Sequence, residues 1–212
     1  MKFPNAYNGV KKIYTAEILY LIGIIFSVIA VIAAFVAAGA IEIGEDAISA
    51  GSVGTMAVFG LIAGVLLIVG FIIYLVGLNN GKKDEPLFKT ALMFVLAAIV
   101  ITLIGSFTKG TVSKLFSDLS SVASILITYY VIRAIISLAD KLNNAEVAQK
   151  GKRVINLIFT VFILSFVASI LGHFALTGTA SAIISIVATI LSLIQCFIYL
   201  SFLSRAKRML AQ

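Results

Sequence analysis

Few residues in this chain are of a type and spacing that could do chemistry, and Arg133 is placed most unusually among them. It is the single charge in LITYYVIRAIISL, residues 126–138. A cation buried in apolar surroundings is costly, so it either serves a site or reaches out towards water. Tyr129, Arg133, Ser137 and Asp140 fall at helical spacings on one face. Glu17 enters the first apolar run at a comparable distance from its basic end. These five residues form a candidate polar site in which Arg133 pairs with Asp140 or Glu17. Arg133 stands about six residues, or roughly 9 Å, from the basic end of its run. A guanidinium can snorkel most of that distance, so an interfacial anchor is the first reading and a functional site the alternative.

Other chemistry is sparse. The single histidine, His173, sits between Gly172 and Phe174, with no carboxylate or thiolate within a few residues to complete a metal site. Cys196 is the one cysteine, which excludes an internal disulfide and a cysteine-rich metal site. HExxH, GxSxG and Walker patterns are absent, and no two carboxylates share an apolar run. Glu17 and Asp118 lie close to run ends, so carboxylate-based ion coupling is not indicated. The expectation is therefore no catalytic, cofactor-binding or metal-ligating residue. Hydroxyls do form stripes: Ser120, Ser124 and Thr128 share one face, and Ser185, Thr189 and Ser192 share another. Such stripes either line a shallow outward-facing cavity or bond the preceding turn of their own helix.

The elements that position these residues are apolar helices. Of 212 residues, 61% are hydrophobic and 12% charged, far from the composition of a soluble domain. Six runs are long enough to cross a bilayer as helices, near 15–40, 53–78, 87–107, 119–139, 154–174 and 180–203. The first is too long for the core of a signal peptide. Short alternating strands, the mark of a membrane barrel, are missing. The fold class is thus all-α, an integral membrane bundle of six transmembrane helices. The net charge of +7 comes from short basic clusters between the runs, a topology signal and not a nucleic-acid one. Lys11 and Lys12, Lys82 and Lys83, Lys150 to Arg153, and Arg205 to Arg208 all fall on one side of such a bundle. By the positive-inside rule that side, with both termini, is cytoplasmic. Asp84 and Glu85 before Pro86 mark the start of the third helix. Phe3, Tyr7, Val10 and Tyr14 suggest a separate amphipathic surface segment before the first span.

The chain reads as one transmembrane domain, 1–212, of three tandem hairpins with repeats at 8–79, 80–149 and 150–212. GSFTKGT at 105–111 is echoed by GHFALTGT at 172–179, VASIL at 122–126 by VATIL at 187–191, and NGVKK, NGKK and KGKR precede successive hairpins. Ala30, Ala34 and Ala38 on the first helix, with Ala33 and Ala37 beside them, and Gly60 and Gly64 on the second are candidate helix-packing faces. Six spans with basic ends and an AxxxA first helix are loosely similar to the substrate-binding subunits of energy-coupling-factor vitamin transporters, in architecture and in that motif only. Three hairpins also resemble mitochondrial carriers, but the proline–acid–base signature of those proteins is missing, the only prolines being Pro4 and Pro86.

In order of support, the expected function classes are a non-enzymatic membrane component that assembles with partners, a small permease or substrate-binding subunit, and an intramembrane enzyme acting on lipid through His173, Asp118 or Glu17. The expected partners are the lipid bilayer and a membrane protein or second copy, with no nucleic acid. Size and a Lys- and Ile-rich composition point to a prokaryotic plasma membrane.

Overall fold

The computed structural model describes the backbone of residues 2–42, 46–174 and 179–212, and the side chains of 2–38, 51–110, 112–113, 115–164, 191 and 193–212. The described residues form six α-helices: α1 (Pro4–Glu42), α2 (Asp46–Gly81), α3 (Leu87–Ser106), α4 (Thr111–Lys141), α5 (Ala145–Phe174) and α6 (Thr179–Ala211). Within them, Pro4–Ala38, Gly51–Gly81, Leu87–Ser106 and Leu115–Lys141 are long and apolar enough to cross a membrane. The spans expected at 154–174 and 180–203 run through α5 and α6, where the side chains of 165–190 lie outside the described residues. The number of candidate spans shown is therefore four and not six.

The N-terminal segment is not a separate surface helix. It forms the first turns of α1, and its buried face is Ala6, Val10, Ile13 and Ala16 instead of the Phe3–Tyr7–Tyr14 edge. Pro4 suits a first helical position because its missing N–H would have had no intrahelical acceptor.

Residues 12–77 form one compact unit, the antiparallel hairpin of α1 and α2. Small residues set its closest approaches. A Cβ on Gly23 would lie 3.3 Å from Leu67 Cδ2, and one on Gly70 only 2.9 Å from Tyr20 Cε1. Phe26 stacks on Phe59 at a centroid distance of 5.5 Å, and Tyr20 meets Tyr74 at 6.5 Å. The outward side chains, such as Ile32, Phe35, Leu61 and Ile68, are exposed and apolar. In lipid that exposure carries no hydrophobic penalty, and close backbone packing replaces the hydrophobic drive.

Residues 1–11 and 78–212 form the other unit, with α4 packed against α3, α5 and α6. Its described core is concentrated where the basic residues lie. Phe88, Ile132, Ile135, Leu138, Phe202 and Leu203 have no more than a trace of exposure. The α4–α5 turn ends α4 by the Schellman pattern: Asn144 N donates to Ala139 O at 2.8 Å and Asn143 N to Asp140 O at 3.1 Å. This requires the left-handed backbone of Asn143, with φ of 54°. Asn144 Oδ1 then accepts the Val147 amide at 3.0 Å, capping α5.

Candidate functional site

Arg133 lies on the outward strip of α4. Val131, Ile132, Ala134, Ile135, Ile136, Leu138 and Ala139 are buried, leaving Arg133 and Asp140 exposed and Ser137 half-buried. Among the described residues Arg133 makes no ion pair with Asp140. Seven residues of helix put them roughly 10 Å apart along the axis. Helical side-chain stems also lean towards the N-terminus, carrying the guanidinium away from Asp140. Tyr129 packs edge-on against Tyr130 and Phe159, with centroids at 5.3 and 5.9 Å. Glu17 is half-buried in the 12–77 unit.

Ser137 belongs to a different centre, one the sequence reading missed. Its hydroxyl donates to Glu85 Oε2 at 2.9 Å, and Lys141 Nζ donates to the same oxygen at 2.7 Å. Glu85 is buried, its side chain 4% exposed, whereas the Lys141 side chain is 46% exposed. Next to it, Asp84 accepts the Ala6 amide at 2.8 Å and the Asn5 amide nitrogen at 3.0 Å. One carboxylate thus caps the start of α1, worth about 1 kcal/mol for a cap of this type, while the other ties the α2–α3 turn to the end of α4. The turn is tight because Phe88 packs on Gly81, where a Cβ would come within 2.7 Å of the ring. The available signal was Ser137 and Lys141, two donors four residues apart at the end of an apolar run. Both donors meet Glu85 on one oxygen, an arrangement suited to clasping helices.

The hydroxyl stripe of α4 faces an open cavity of about 380 Å³ in the α3–α4 hairpin. Ser120 and Ser124 line it, together with Thr102 and Ser106 of α3. Thr102 and Ser120 share a hydrogen bond of 3.1 Å across the hairpin. Ser124 donates to Ser120 O at 3.0 Å and Thr128 to Ser124 O at 3.1 Å, so these donors are also spent on their own helix. Thr128 is not part of the cavity wall. The side chains of Ser185, Thr189 and Ser192 lie outside the described residues.

A second cavity, of about 520 Å³, opens between the start of α5 and the end of α6. Lys150, Arg153 and Arg205 line it with a single carboxylate, Glu146, and its wall continues into Val154, Leu157 and Ile198. Arg205 pairs with Glu146, and Lys150 Nζ donates to Ser201 Oγ at 3.1 Å. Burial first, and then the Arg205 charge, lower the Lys150 pKa from its ordinary value, with Glu146 opposing them.

The packing faces differ in register from the expected ones. Between residues 30 and 38 of α1 the buried small residues are Ala30, Ala33 and Ala37, while Ala34 is half-buried and Ala38 exposed. Each four-residue step drifts about 40° around a helix of 3.6 residues per turn, so by Ala38 the stripe has turned towards the exposed side. On α2 a Cβ added to Gly60 or Gly64 would meet nothing within 4 Å, and Gly70 takes the close-approach role instead. Among the described residues no three His, Cys, Asp or Glu side chains cluster as metal ligands.

Four long helices sheathed in exposed Ile, Leu, Val and Phe place this helical chain in contact with a lipid bilayer. The chain matches no family model, no curated protein and no solved structure.

Proposed function

We propose that the chain is a six-span component of a prokaryotic plasma membrane, built as three tandem hairpins with its basic ends cytoplasmic. It is non-enzymatic and assembles with another membrane-embedded helix, from a second copy or from a different subunit. The observation that carries this reading is the GxxxG pair on α2, whose glycines have open space where a Cβ would be. Such a face lets a second backbone approach closely in lipid. The positive-inside rule supports the orientation. Gly60→Leu with Gly64→Leu is expected to weaken association in bilayers at least about ten-fold, read by energy transfer between labelled copies and by co-purification from the native membrane. A wild-type chain that is monomeric and retains no partner after gentle solubilisation sinks the proposal.

The hydroxyl-lined cavity of α3 and α4 favours a second reading, a small permease or substrate-binding subunit. In a Cys196→Ser background, Ser120→Cys and Ser124→Cys should then react with a membrane-impermeant thiol reagent added from outside. Absence of labelling at both positions removes this reading. The enzymatic alternative needs His173, Asp118 and Glu17 in one site. Asp118 is exposed near the start of α4 and the His173 side chain lies outside the described residues, so no observation favours it.

A further inference from the structure

The cavity between α5 and α6 has an uneven charge balance. Three cations, Lys150, Arg153 and Arg205, share it with one carboxylate, Glu146, which is already paired with Arg205. Lys150 donates to a neutral hydroxyl, and among the described residues Arg153 has no carboxylate partner. An excess of positive charge held in a concave site is a site for an anion. Its volume of about 520 Å³ accommodates more than an ion, since small-molecule sites run from about 300 to 1,000 Å³.

The wall changes character in one direction on both helices. Along α5 it passes from Glu146, Lys150 and Arg153 to Val154 and Leu157; along α6, read from its end, it passes from Arg205 to Ile198. The polar ends coincide and the apolar ends coincide. From Glu146 to Leu157 this gradient covers roughly 16 Å of helix. A soluble anion would have no use for the apolar half, whereas a lipid with an acidic headgroup and an acyl chain matches both halves. Basic pockets between helices at the cytoplasmic interface suit anionic headgroups for this reason.

We propose that this cavity binds a phosphate-bearing anion, presented by an anionic phospholipid whose headgroup meets Lys150, Arg153 and Arg205 and whose chain follows Val154, Leu157 and Ile198. The lipid source rests on α5 and α6 spanning the membrane with basic ends at its surface; the phosphate chemistry does not.

Native mass spectrometry of the full chain, released from bilayers of equal phosphatidylglycerol and phosphatidylcholine, tests it beside a titration with inorganic phosphate. Wild type is expected to retain phosphatidylglycerol at least about five-fold over phosphatidylcholine. Arg153→Gln and Arg205→Gln should each lower that retention by about five-fold. Glu146→Gln should raise it, a gain that misfolding cannot produce. Lys82→Gln, exposed on the same basic side but outside the cavity, should leave it unchanged. Phosphate binding that the same two arginine substitutions abolish, without any lipid preference, keeps the anion site and names free phosphate as its source. Equal retention of both lipids with no phosphate binding overturns the proposal, as does an effect of Lys82→Gln equal to that of Arg153→Gln. Cysteine labelling of the α5 and α6 ends from either side of the membrane reports the span assignment separately.

Discussion

Lys141→Met is expected to lower stability by about 3–5 kcal/mol, the cost of orphaning a buried charge, and Glu85→Gln by only about 1–2 kcal/mol. The two residues are partners, yet their exposures differ by an order of magnitude, 4% for Glu85 and 46% for Lys141. Removing the ammonium strands a carboxylate that water scarcely reaches and takes away the charged one of its two donors, leaving the Ser137 hydroxyl in place. Removing the carboxylate charge instead frees a lysine that can turn to solvent, and a glutamine oxygen still accepts from Ser137. A typical surface pair would show no such asymmetry, being worth little from either side. Denaturation followed by circular dichroism in one detergent measures both variants. Equal losses, or a larger loss for Glu85→Gln, would contradict the assignment of Glu85 as the buried member.

Gly151→Ala is expected to cost about 1–3 kcal/mol by overpacking, although alanine is about 1 kcal/mol the better helix former. A Cβ at this position would lie 2.6 Å from Ile136 Cγ1, 2.9 Å from Ile136 Cδ1 and 3.1 Å from Phe202 Cε2. Cγ1 belongs to a β-branched side chain held stiffly at χ1, so relief has to come from helix displacement. Gly151→Leu should prevent native packing of α4, α5 and α6 altogether. The clash also predicts coupling: Gly151→Ala in an Ile136→Ala background should cost less than the two single changes together. Gly60→Ala is the contrast, because nothing lies within 4 Å of its added methyl, and it should be neutral or slightly stabilising in the isolated protein. Strict additivity at 151 and 136 would mean that the close crossing is not formed.

Both results concern contacts that no local pattern announces. Tyr129, Arg133, Ser137 and Asp140 could be placed on one helix face from their spacing. The partner of Ser137 was not legible, because Glu85 is 52 residues away and reaches Ser137 only when the α2–α3 turn folds against the end of α4. The hydroxyl stripe shows the same division. Ser120 and Ser124 could be placed on one face from spacing, but Thr102 and Ser106 complete the cavity from another helix. The small-residue faces were legible only in part for a related reason. When a helix is apolar on every side, amphipathicity no longer tells which side meets a neighbour, and glycines at 23, 60, 64 and 70 look alike.

By itself, the amino-acid sequence determined the helical class, the apolar stretch within each of the six described helices and the separation of basic ends from apolar lengths. Those properties follow from run length, backbone hydrogen bonding in lipid and the distribution of Lys and Arg, all of which are local. Only the tertiary structure decided that Glu85 and not Arg133 carries the buried ion pair, that Gly70 and Gly151 mark close crossings, and that three cations of α5 and α6 surround one cavity. Each of these depends on which helix faces meet. In a chain so uniformly apolar, that is settled by the fit of side chains across helices, which sequence spacing does not encode.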